Sequence, residues 1–156
     1  MRPIPVHIRQ HFQPEARHPK WEDVPAEKWN DWIWQQQNRV KTLPQLEEVL
    51  SLSPEERTAF AGAEKSFRIA ITPYYLSLMK HSDPNCPIRR QAVPQPGELV
   101  NLPTEMADPS QEESMSPAPG IVHRYPDRVL LYTTHNCAVY CRFCTRKRKV
   151  SNPDSA

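Results

Sequence analysis

The sequence predicts an α/β chain, a helical N-terminal layer that leads into the first strand and cysteine-bearing loop of an incomplete (β/α) barrel. Three observations predict it. Helix-start signals and apolar residues at three- and four-residue spacing fill residues 23–81. A short apolar and β-branched run, Arg128–Thr134, reads as a buried strand of parallel type. Three cysteines follow that strand directly, on the side where β/α barrels carry their chemistry.

Taken in order, residues 1–22 contain Pro and His without periodicity and read as an irregular arm. From Pro25 a helix is expected, with Trp29, Trp32, Ile33, Gln36 and Val40 on one stripe that packs inward. A second helix is expected over Leu43–Leu50. The third has a clear start: Ser53 as N-cap, Pro54 at the first helical position and Glu56 as the capping-box partner, running to about Phe67. Thr72-Pro73 opens a fourth, through Tyr74, Leu78 and Met79. Residues 82–120 carry Pro84, Pro87, Pro94, Pro96, Pro103 and further prolines, which forbid long helices and central strands. That stretch reads as an extended connector that wraps a surface, or as partly disordered. Residues 121–156 begin the barrel.

Composition narrows the class. The 156 residues suit one domain, but 18 prolines against three glycines describe stiff, extended connections. The formal charge of +2 conceals an acidic middle and a basic end, where Arg142, Arg146, Lys147, Arg148 and Lys149 crowd together. A run of that kind is usually a solvated face. No stretch approaches the roughly 18 apolar residues of a membrane span, and the first residues lack the apolar core of an export signal. A cytoplasmic protein is expected, and with it metal binding rather than disulfides for the clustered cysteines.

The segment Cys137-Ala-Val-Tyr-Cys141-Arg-Phe-Cys144 is a CxxxCxxC. Three thiolates so spaced can hold three irons of a [4Fe–4S] cube and leave the fourth iron without a protein ligand. S-adenosylmethionine (SAM) can chelate that iron, and electron transfer into its sulfonium generates a radical; the protein holds the cofactors and excludes competing reactions. Phe143 is placed to pack along the adenine. A structural zinc site is the alternative, with Cys86 or His135 as fourth ligand, although zinc more often takes paired CxxC units.

With those residues in view, a resemblance can be stated. The blocks His123-Arg-Tyr-Pro-Asp-Arg-Val-Leu-Leu131, the cysteine loop and Thr145-Arg146-Lys147-Arg148 resemble the lysine 2,3-aminomutase family of radical SAM enzymes. So do Trp29-Asn-Asp-Trp-Ile-Trp-Gln-Gln-Gln-Asn-Arg39 and Asp83-Pro-Asn-Cys-Pro-Ile-Arg-Arg-Gln91, and the resemblance covers roughly residues 20–156. It implies the first part of a radical SAM (β/α) barrel and migration of an amino group between adjacent carbons, L-lysine to β-lysine. The implied cofactors are a [4Fe–4S] cluster, SAM and pyridoxal 5′-phosphate (PLP). Cys137, Cys141 and Cys144 would ligate the cluster; Arg124, Tyr125 and Arg128 would contact PLP, as suits guanidinium groups near a phosphate. Arg146 would pair with the substrate carboxylate, while Lys147, Arg148 and Lys149 solvate the loop and Cys86 stays a free thiol. An external electron donor such as flavodoxin or ferredoxin and a homo-oligomer are also implied.

The resemblance exposes absences as well. Gly62, Gly97 and Gly120 all precede the cysteine loop, so no glycine-rich segment for SAM follows it, and no lysine stands out as a PLP partner. The expectation is an N-terminal fragment that is inactive by itself. Two rivals remain within reach of the sequence: an aminomutase acting on glutamate or on a lysyl group, and a small metal-binding module whose basic tail grips nucleic acid. An all-helical interaction domain with incidental cysteines is a third.

Overall fold

A computed structural model describes residues 17–63, 67–100 and 102–150. Seven short helices occur among the described residues: α1 (Ala26–Trp29), α2 (Trp32–Gln37), α3 (Leu43–Glu47), α4 (Pro54–Ala63), α5 (Pro73–Ser77), α6 (Pro87–Ala92) and α7 (Lys147–Val150). Two strands, β1 (Ile121–Tyr125) and β2 (Arg128–Leu131), pair antiparallel. No helix among the described residues is long and apolar enough to cross a membrane.

Local signals explain where the helices start. Thr42 and Gln45 form a capping box before α3, and Thr72 accepts from the Tyr75 N–H before α5. Ser53 and Glu56 exchange bonds of 2.8 and 3.2 Å at the start of α4, as its sequence predicts. Helix α4 closes at Ala63; residues 64–66, on the path of its expected continuation to about Phe67, lie outside the described ones, as do residues 1–16 of the arm.

Two expectations for this layer change. The tryptophan stripe does not lie on one helix. Asp31 takes hydrogen bonds from the Ile33 and Trp34 N–H groups and restarts the helix there. Its face is thereby rotated: Trp32 is 73% exposed and Ile33 is exposed, while Trp29 and Gln35 are buried. Trp29 instead packs between Trp21 and Trp34, with ring centroids 6.2 and 6.0 Å away. The second change concerns residues 82–120. Pro87 and Pro96 do not merely interrupt; each opens a helical turn, α6 and the 3₁₀ turn Pro96–Leu99. A proline at the first helical position loses no hydrogen bond there.

The core gathers Leu46, Leu50, Phe60, Ile71, Leu76 and Met79. Through it runs one buried ion pair. Arg89 on α6 has a side chain 0% exposed and meets Glu56 of α4 at 2.6 Å. The same guanidinium donates to the His81 and Ser51 carbonyls at 2.7 and 2.8 Å. At the edge of the layer, His18 packs edge-on to His81 at 5.2 Å. Burial, then the charges of His81 and Lys20, hold the His18 pKa below its ordinary 6.5.

Two outcomes follow. Arg89→Ala leaves a buried carboxylate unpaired and is expected to cost about 3–5 kcal/mol in urea unfolding. Lys20→Ala, which removes the exposed pair with Glu48, is expected to cost under about 1 kcal/mol. Because the folded state disfavours protonated His18, the unfolded chain takes up that proton first as pH falls. Stability should therefore decline as pH drops through 6.5, and His18→Gln should flatten that decline.

Candidate functional site: a cysteine loop beside an arginine cleft

The loop of residues 137–144 has no regular hydrogen-bonding pattern of its own, so its backbone groups must find partners elsewhere. The N-terminal layer supplies them. Ile71 forms bridges on both sides, to Val40 and to Val139. The Thr72 N–H donates to Ala138 at 3.1 Å, Tyr140 to Ala70 at 2.9 Å and Arg142 to Gln91 at 2.7 Å. Arg39 donates to the Cys137 carbonyl at 2.9 Å and lies over the Tyr140 ring. That ring stacks on Phe67 at 6.0 Å.

Arg142, between the second and third cysteines, points inward. It pairs with Glu98 at 2.8 Å, donates to the Phe67 and Arg68 carbonyls, and covers the Phe67 ring. It is buried, so the basic run is not uniformly a solvated face. Arg148 also departs from that expectation, pairing with Asp108 at 3.1 Å and with Glu113. Lys149 lies over the Tyr132 ring at 4.8 Å.

Cys137, Cys141 and Cys144 are free and half-buried. Burial, then Cys144, pushes the Cys137 thiol up against an opposing pull from Arg39. Burial, then Cys144 and Cys137, pushes Cys141 up. The thiols therefore sense one another, although no set of three His, Cys, Asp or Glu among the described residues is gathered as a metal cage. The donor set is all thiol, which suits an iron–sulfur cluster that binds each thiolate at a different iron. Cys86 is buried apart, accepting from the Lys80 N–H, and Phe143 is 70% exposed on the loop surface.

The strand before the loop differs from its expectation. Among the described residues it is exposed and pairs antiparallel rather than parallel: Arg128–Leu131 folds back on Ile121–Tyr125. Pro126 and Asp127 are turn formers and make the hairpin. That turn has a consequence for the site. It brings Arg124, Tyr125 and Arg128 to one cleft of about 360 Å³, which Ser110, Glu112 and Arg146 also line. Arg128 lies 4.6 Å over the Tyr125 ring, and Arg124 donates to the Ser110 carbonyl at 3.4 Å. Four residues singled out in the sequence thus share one wall-to-wall space.

Sequence reasoning missed Glu112 and Tyr132. Glu112 is buried and takes hydrogen bonds of 2.7 Å from both Arg146 Nη2 and the Tyr132 hydroxyl. Arg146 Nε donates to that hydroxyl at 3.0 Å. Burial pulls the Arg146 pKa down, but its bonds to Tyr132 and Glu112 outweigh burial and raise it. Nothing in the Pro-rich segment marks Glu112 beyond its charge.

No family model matches the chain. Among curated proteins it is similar to enzymes that move amino groups, the amino-acid 2,3-aminomutases. The L-lysine 2,3-aminomutase of Clostridium subterminale is 46% identical over 140 residues, 90% of this chain and 34% of that protein. That of Bacillus subtilis is 47% identical over 128 residues, 82% of this chain and 27% of that protein. The glutamate 2,3-aminomutase of Clostridioides difficile is 38% identical over 129 residues, 83% of this chain and 30% of that protein. The chain thus spans about a third of the length of the curated relatives it matches. Over that span its sequence is of the lysine 2,3-aminomutase family, an isomerase family.

Arg142→Ala should loosen the loop without dissolving the core. Amide exchange at Tyr140 is expected to quicken about tenfold or more, since charge-assisted bonds to two carbonyls and Glu98 are lost. Exchange at Ile71 quickening equally would show instead that the whole layer had opened.

Proposed function

We propose that this chain holds the cluster loop and the anion-binding cleft of an amino-acid 2,3-aminomutase, with L-lysine as substrate. The observation that carries the reading is their continuity: Arg146 stands two residues beyond Cys144 and lines the cleft of Arg124, Tyr125 and Arg128. Lysine is preferred to glutamate because four relatives named for lysine are 44–48% identical, against 38% for a relative named for glutamate.

In this reading Cys137, Cys141 and Cys144 ligate a [4Fe–4S] cluster and Phe143 lies along the adenine of SAM. When bound, the cluster, SAM and PLP supply the radical and carbonyl chemistry of amino-group migration. The chain's own residues bind and orient. Arg124 and Arg128 neutralise the PLP phosphate, and Tyr125, stacked beneath Arg128, offers it a hydroxyl. Arg146 pairs with the amino acid's carboxylate. The N-terminal layer holds the cysteines on a fixed shelf, which a site with open iron needs. An external one-electron donor such as flavodoxin or ferredoxin completes the requirements, and free thiols suit a reducing cytoplasm. A nucleic-acid module is less well supported, since Arg142, Arg146 and Arg148 are already ion-paired within the chain.

Three measurements test this. Anaerobic incubation with iron and sulfide should give a brown chromophore that bleaches on reduction, and Cys141→Ser should lose most of it. A colourless protein with one tightly held zinc would replace the cluster reading. In PLP titrations followed by absorbance, Arg124→Ala and Arg128→Ala should each weaken binding about tenfold or more. A chimera carrying this chain in place of the matching third of the Bacillus subtilis enzyme should convert L-lysine to β-lysine. Conversion of glutamate alone would replace the substrate assignment.

A further inference from the structure

Arg146 meets the cleft with part of its guanidinium already committed. A guanidinium offers two edges for a carboxylate, the side edge of Nε and Nη2 and the end edge of Nη1 and Nη2. Here Nε donates to the Tyr132 hydroxyl at 3.0 Å and Nη2 donates to Glu112 Oε1 at 2.7 Å. Tyr132 closes the ring by donating its own proton to Glu112 Oε2 at 2.7 Å. Every polar group in this triangle has a partner. The side edge is taken.

The end edge is not. No described residue accepts from Nη1, and the Arg146 side chain remains 37% exposed where it lines the cleft. Glu112, by contrast, has a side chain only 8% exposed and cannot turn out to water without abandoning both donors. Burial and the neighbouring Glu112 carboxylate hold the Tyr132 hydroxyl pKa above its ordinary value, so it stays a donor.

We propose that Glu112 and Tyr132 are positioning residues that lock the Nε–Nη2 edge of Arg146, so that an amino-acid carboxylate docks only end-on, through Nη1 and Nη2. The inference rests on the reading of Arg146 as the carboxylate partner. An unclamped arginine could chelate in either mode and with its plane rotated. With the clamp, the guanidinium plane is set before ligand arrives, and one docking mode remains. Because the clamp also neutralises Arg146, it contributes orientation rather than affinity.

The test is a nitrogen-15 side-chain spectrum of the full 156-residue chain, with L-lysine as probe. In the unmodified chain the Arg146 Nε–H should exchange with water about tenfold or more slowly than that of exposed Arg128, as a charged hydrogen bond predicts. Tyr132→Phe should remove that protection, and Glu112→Gln should reduce it, with the backbone spectrum reporting that both variants fold. On adding L-lysine, the Arg146 Nη signals should shift while the Nε–H signal stays; in Tyr132→Phe both should move. Unprotected Nε–H in the unmodified chain, or an Nε–H signal that shifts with L-lysine there, overturns the clamp. Protection of Nε–H with no response of any Arg146 signal to L-lysine overturns the carboxylate reading instead, and end-on docking with it.

Discussion

A single buried charge organises the N-terminal layer. The Arg89 guanidinium is fully enclosed, and an enclosed cation demands a full set of acceptors. It finds them on three separate segments: both oxygens of Glu56, the Ser51 carbonyl and the His81 carbonyl. Glu56 is itself fixed, because it also caps the Ser53 N–H. The beginning of α4, the whole of α6 and the turn at His81 are therefore tied at one point. Glycine-poor, proline-started helices of four to ten residues would be marginal alone, and this tie together with the apolar core gives them a common frame.

The frame matters because the cysteine loop cannot hold itself. Its backbone makes a ladder with residues 70–72 and reaches Gln91, so its shape is imposed from outside. Arg142 reinforces this from within the motif, with its charge turned toward Glu98 and the Phe67 and Arg68 carbonyls. The half-buried thiols thus stand on a supported loop. Beyond them, α7 continues the same logic: Arg148 pairs with Asp108 and Glu113, which draws the acidic middle of the chain against its basic end. That contact places Glu112 beside Arg146.

Much of this was legible, for identifiable reasons. Capping at Ser53 and Thr72 is a local bargain between neighbours, and the structure carries both caps. The resemblance singles out Arg124, Tyr125 and Arg128 for PLP; that role stands as a proposal, and what the structure adds is that the three line one cleft. Two readings changed on features that periodicity and composition do not register. The tryptophan periodicity was genuine on paper, yet Asp31 resets the helical phase by one hydrogen-bonding choice. The apolar run at Arg128 read as an interior strand of a parallel sheet; within this span, about a third of its relatives' length, its described partner is antiparallel across the Pro126-Asp127 turn.

By itself, the sequence pointed to a ligand chemistry, with candidate thiols at Cys137, Cys141 and Cys144 and candidate guanidinium groups at Arg124, Arg128 and Arg146. Those are properties of residue type and short spacing. Only the tertiary structure decided which charges face ligand and which face each other. Arg142 and Arg146 lie four residues apart in one basic run, yet one is sealed against Glu98 and the other opens on the cleft with one edge held by Glu112 and Tyr132. Their partners come from 44 and 34 residues away. No spacing rule reaches that far, because a buried charge is satisfied by whatever acceptor the packed core brings to it.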